Sequence, residues 1–161
     1  MKVMPRLAIC GCMAAMLGCA KSEDATVSDT AAGMTDTPQP EAPATISLAD
    51  VAGNWQMRAT PETGTDTSVT TYVMNATGTT SGWTITFPNR SPVPMQVTTD
   101  GDSIIADAGP FQSARRKGVQ VRTHSVMRLR NSSLTGTTVA RYTTTGPDSV
   151  LQLRTEGTRA P

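Results

Sequence analysis

Cysteine is nearly absent from this chain. Three occur in 161 residues, and Cys10, Cys12 and Cys19 all fall in the first segment, so the rest of the chain has no disulfide framework and no Cys-based metal site. Histidine occurs once, as His124, which leaves a Ser-His-Asp relay or a His-rich metal centre with a single member at most. Aromatic residues are scarce too, with two each of Trp, Tyr and Phe, so Val, Ile, Leu and Met must fill any core. Charge of one sign is not in excess. Of 14 basic and 13 acidic residues, three and five precede Ile46, leaving eleven against eight beyond it. That balance is far from a nucleic-acid-binding surface, and no nucleic acid partner is expected. No apolar run reaches the ~20 residues that a membrane-spanning helix needs. A phosphate-cradling Gly-rich loop and a Gly-x-Ser-x-Gly nucleophile elbow are both missing. The expectation is a protein that is not an enzyme and carries no cofactor and no metal.

What is present begins at the N-terminus. Lys2 and Arg6 precede an apolar stretch from Leu7 to Leu17, then small Gly18 and Cys19, then polar Lys21-Ser22-Glu23-Asp24. Charged, apolar, small and polar is the order of a secretory signal. The segment Met16-Leu17-Gly18-Cys19 resembles the bacterial lipobox, with Met16 where leucine is usual. That resemblance implies cleavage after Gly18, lipidation of Cys19 and attachment to a membrane of the cell envelope through acyl chains, each methylene contributing ~0.8 kcal/mol. In enterobacterial lipoproteins an aspartate after the cysteine favours the inner membrane. Ala20 holds that position here, so the outer membrane is expected.

Residues 1–18 thus read as a signal peptide and residues 19–45 as a tether. The tether is built from Ser, Thr, Asp, Glu, Ala and Pro, ends in Pro38, Pro40 and Pro43, and has too little apolar surface to offset the entropy of ordering. From residue 46 to 161 the composition changes. Short runs of Val, Ile, Thr, Trp and Tyr alternate with Gly, Pro, Asn and Asp clusters, the signature of strands and turns. The pattern predicts strands near 53–60, 67–76, 82–87, 93–98, 103–108, 111–116, 119–130, 133–142 and 149–154, with a helical turn over 46–51. In 119–130, Val119, Val121, Met127 and Leu129 share one face with Thr123 and Ser125, while Gln120, Arg122, His124, Arg128 and Arg130 share the other. Turns of two to five residues, among them one at Ala108-Gly109-Pro110, imply antiparallel hairpins. An all-β meander of about eight strands hides its edges most simply by closing into an up-and-down barrel.

Gly53-Asn54-Trp55 at the start of the first strand resembles the Gly-x-Trp of lipocalins and related calycin-type small barrels. In that group the tryptophan plugs the closed end and a basic residue on or after the last strand lies across its indole. The resemblance implies a lipocalin-like barrel in which Gly53 and Trp55, with Arg154 or Arg159, build the closed end. A cation over an indole is worth ~0.5–2 kcal/mol. Trp55 and Trp83 are too few for an avidin-type biotin site.

Among residues with potential chemistry, His124 reads as a solvated strand residue, and Asp100 and Asp102 as turn residues around Gly101. Arg115-Arg116-Lys117, Arg122, Arg128 and Arg130 read as a charged outer face. Two functions follow from the two ways to fill such a barrel. A hollow one binds a small hydrophobic ligand through its open end; a solid one meets another envelope component through its basic face. The sequence leaves the oligomeric state open.

Overall fold

The computed structural model describes residues 45–64 and 66–161. The expected signal segment, Cys19 and nearly all of the tether lie outside the described residues. A short helix, α1 (Leu48–Val51), leads into strands β1 (Gly53–Pro61), β2 (Thr70–Ala76), β3 (Thr84–Thr86), β4 (Val93–Asp100), β5 (Ser103–Gln112), β6 (Gln120–Arg130), β7 (Ser133–Tyr142) and β8 (Val150–Arg159), the last preceded by a 3-10 turn at Pro147–Ser149. Each strand pairs antiparallel with the next, and β8 returns to pair with β1. The sheet is a closed barrel in the order β1 to β8. It is the all-β meander that the alternating residues and short turns predict, and closure leaves no edge strand exposed.

The alternation shows why these segments become strands. Trp55, Met57 and Ala59 point inward along β1, while Asn54, Gln56 and Arg58 face water. On β6, Val121, Ser125 and Met127 are buried, and Gln120, Arg122, His124, Arg128 and Arg130 are exposed. Asn131 and Ser132 join β6 to β7 with φ of 48° and 63°, and two residues at positive φ match the right-handed twist of the strands they link. The seam between β3 and β4 is the thinnest, with Thr84 and Ile85 alone pairing to Pro94 and Val93.

Two expectations need correction. Ala108-Gly109-Pro110 is not a turn, and 111–116 is not a separate strand. Ala108 pairs with Thr123 and Phe111 with Val121, so Gly109 and Pro110 together face the single residue Arg122. This is a β-bulge inside one continuous strand. Gly-Pro punctuation reads as a reversal, but β6 continues as the partner on both sides and holds β5 to its course. At the C-terminus the alternation predicts an end near 154, yet β8 runs on to Arg159, because its inward positions there are Thr155 and Gly157, both buried. A hydrophobicity pattern does not register them.

The interior is layered. At the closed end Trp55, Trp83, Met57, Met74, Ile104, Met127 and Leu134 are all but fully buried, and burying side chains of this size contributes ~1.5–3 kcal/mol each. Gly136 permits this density: a β-carbon there would fall 2.7 Å from the Met127 Cα. A second cluster of Ala59, Val121, Ala140, Tyr142 and Leu153 lies toward the other end. Between the two runs a chain of buried hydroxyls, Ser125 to Thr138 and Thr138 to Thr155, each contact 2.8 Å.

Candidate functional site

The closed end is built from both termini of the barrel domain. Trp55 Nε1 donates to the Val51 carbonyl at 2.8 Å, which ties the indole to α1. The Arg159 guanidinium lies over the Trp55 ring at 4.7 Å from its centroid, donates to the Ala52 carbonyl at 2.7 Å and also reaches the Asp50 carbonyl. Those carbonyls end a helix and have no partner within it. Gly53 makes room for this arrangement, since its φ is +133° and a β-carbon would sit 3.0 Å from an Arg159 nitrogen. Arg154 is elsewhere: its backbone pairs with Thr60 and its side chain lies in water, 3.3 Å from Glu156. Trp83 is a second plug that the sequence reading did not single out. It is fully buried, and its Nε1 donates to the Thr79 carbonyl at 2.6 Å.

The opposite end carries the mouth. Tyr72, Phe87 and Phe111 stand in a row across it, with ring centroids 5.4 and 5.5 Å apart. Burial pushes the Tyr72 phenol above its ordinary range, so the hydroxyl stays protonated. Beneath the row remains an internal space of about 50 Å³, reaching Thr123, Ser125, Thr138 and Ala140. Pockets that enclose small organic ligands run to ~300 Å³ or more. This one has room for a few waters, each needing ~10–15 Å³.

The connection from 113 to 119 closes over the mouth and is held by arginines. Arg115 donates to the Ser68 carbonyl and Thr70 Oγ1, both at 2.8 Å, and pairs with Asp66 at 2.6 Å. The Ser68 hydroxyl and backbone N–H, with Arg115, hold the Asp66 carboxyl down at about 2. Arg116 lies 3.9 Å from the centroid of the Tyr142 ring and donates to the Asp148 carbonyl. Arg90 donates to the carbonyls of Gln112 at 2.6 Å and Ser113 at 3.2 Å. Two of the three consecutive cations at 115–117 therefore serve the fold and are not a free basic patch. Nothing in their spacing distinguishes a latch from a solvated cluster.

On the outer face, Arg128 and Arg130 converge on Asp102, Arg128 at 2.9 Å, and hold its carboxyl at about 2. His124 Nδ1 lies 2.8 Å from Asp107 Oδ1. His124 and Asp107 are direct cross-strand partners on β6 and β5. A carboxylate only accepts, so the contact selects a proton on Nδ1. Among the described residues no three His, Cys, Asp or Glu side chains cluster as metal ligands, and no helix there is long and apolar enough to cross a membrane. The chain matches no family model, no curated protein and no solved structure.

Proposed function

We propose that this chain is an envelope lipoprotein, lipidated at Cys19 and carried to the outer membrane, whose lipocalin-like barrel is a packed, non-catalytic module that contacts another envelope component through its arginine-rich outer face. The observation that carries this reading is the interior, where about 50 Å³ of space remains against the ~300 Å³ a small-molecule pocket takes. The lipocalin-like assignment draws support from the closed meander, Gly53-Asn54-Trp55 on its first strand, and Arg159 across the indole. The lipid anchor rests on Met16-Leu17-Gly18-Cys19 and the charge pattern around it.

Two measurements on the full chain test the proposal. With the anchor removed by Cys19→Ser, cosedimentation with envelope fragments should fall when Arg122, Arg128 and Arg130 are together changed to Glu, and unchanged cosedimentation would remove the basic face from the account. Titration with cis-parinaric acid should give no stoichiometric binding. A second reading keeps the small hydrophobic ligand, and one observation favours it: the space beneath the mouth is mostly apolar, and side-chain contacts hold the 113–119 connection over it. Saturable uptake of the fatty acid at one per chain would establish that reading and overturn the first.

A further inference from the structure

The arginines of the outer face stand in two electrostatic states. Arg128 and Arg130 share the single carboxylate of Asp102, and Arg154 lies beside Glu156. Arg122 of β6 and Arg141 of β7 are direct cross-strand partners, and among the described residues neither has a carboxylate within ion-pair distance. Like charges opposite one another destabilise a sheet. Every other outward residue of β6 from His124 to Arg130 faces an uncharged one on β7: Val139, Thr137, Thr135 and Ser133. The doubled cation is confined to one row.

Shape supplies an independent observation at the same place. The β5 bulge sets Gly109 and Pro110 against Arg122 and interrupts the ladder there, leaving the guanidinium a single long contact of 3.4 Å to the Gly109 carbonyl. Beside it lies a surface depression of about 340 Å³ bounded by Asp107, Arg122, Thr123, His124, Val139 and Arg141. Asp107 is engaged by the His124 ring at 2.8 Å and lies within ion-pair distance of neither arginine. With a proton on Nδ1, the ring keeps Nε2 for a ligand.

We propose that this depression is an anion site for a phosphate monoester. Two guanidinium groups provide the planar donors that match phosphate oxygens. His124 Nε2 accepts the P–OH proton of the monoanion, or donates to the dianion when itself protonated. A monoester, whose second ionisation falls near pH 6, offers both forms at neutral pH, and a phosphodiester offers neither a P–OH nor a second charge. The group has two sources, a lipid headgroup such as that of phosphatidic acid or a soluble phosphate. The proposal rests on the reading of the barrel as an outer-surface module.

The test follows the His124 ring by NMR in the full chain, held in neutral detergent, because the chain's single histidine is an unambiguous reporter. Inorganic phosphate should shift the ring resonances saturably. Arg122→Gln and Arg141→Gln should each weaken that binding about tenfold, the loss of one charge-assisted contact. Arg58→Gln, removing the same charge from β1, should change it less than twofold. Micelles doped with phosphatidic acid, compared with phosphatidylcholine, then decide the source: saturation at lower concentration than inorganic phosphate assigns a lipid headgroup, and the reverse a soluble ligand. Shifts that do not saturate with either probe, or equal weakening in all three variants, overturn the site. Uptake of cis-parinaric acid by the same sample would instead count against the outer-surface reading and leave the phosphate titration as it stands.

Discussion

Truncating Arg159 should loosen the closed end of the barrel. Its guanidinium covers the Trp55 ring and donates to the carbonyls of Asp50 and Ala52, so one side chain joins the last strand to α1 across the first. The cation–π contact at an exposed position contributes ~0.5–1 kcal/mol. Each hydrogen bond to a carbonyl adds ~0.5–1.5 kcal/mol net. Arg159→Ala should therefore cost about 2 kcal/mol, which for a domain of this size lowers Tm by about 8 °C. Arg159→Lys keeps the charge but not the fork that spans two carbonyls, and should lose about half as much. Arg154→Gln is the control, because its side chain lies in water beside Glu156; it should stay within ~0.5 kcal/mol of the parent. Urea titration of the full chain measures all three. A Trp83→Phe background isolates Trp55, and acrylamide should quench its emission more in Arg159→Ala than in the parent. If Arg159→Ala matches Arg154→Gln in both stability and quenching, the clamp contributes nothing.

Two glycines should rank by what a new methyl would strike. At Gly136 it meets the Val126 carbonyl and lies 2.7 Å from the Met127 Cα, both backbone, whereas at Gly157 it meets the flexible end of Met57; Gly136→Ala should cost more than ~3 kcal/mol and Gly157→Ala ~1–2 kcal/mol by urea titration, and the opposite order would contradict the packing described. Asp102 should titrate near 2 in a carboxyl NMR series and move toward its ordinary value in Arg128→Gln or Arg130→Gln. Because its folded pKa lies below the unfolded one, its contribution to stability is present above pH ~4 and lost as pH falls toward 2. Arg141→Thr should raise stability by ~0.2–1 kcal/mol in the absence of phosphate by relieving its repulsion with Arg122, and the gain should shrink in high salt; a loss of stability would show that Arg141 has a structural partner.

The architecture was legible because its cues are local. Alternation along 119–130 separates the wet residues of β6 from the buried ones, and short turns between antiparallel partners leave a meander little choice but closure. What was not legible depends on partners distant in sequence. Gly109-Pro110 becomes a bulge only because β6 spans it. β8 passes 154 because β1 and β7 pair with it to Arg159 and Thr158, with Met57 and Leu134 packed against Gly157. The choice between Arg154 and Arg159 follows from register: Arg159 is the cross-strand partner of Trp55, and Arg154 that of Thr60. Counting inward positions back from the strand's true end would have selected Arg159, but that end was hidden by Thr155 and Gly157. The Arg115 latch joins side chains 49 positions apart, and no spacing rule reaches that far.

Whether the barrel is hollow turns on volume, which alternation does not carry. The inward residues near the mouth are small, with Ala59, Ala140, Thr123, Ser125 and Thr138 along β1, β6 and β7, and taken alone they describe a cavity. The large residues that fill it are Tyr72 of β2, Phe111 of β5 and Tyr142 at the end of β7, together with Phe87 just beyond β3. Small walls opposed by aromatic side chains leave about 50 Å³. Four rings and one latched connection fill the mouth, while two indoles tied to backbone carbonyls fill the base. Any ligand entering a barrel filled this way must first displace side chains that now pack against one another.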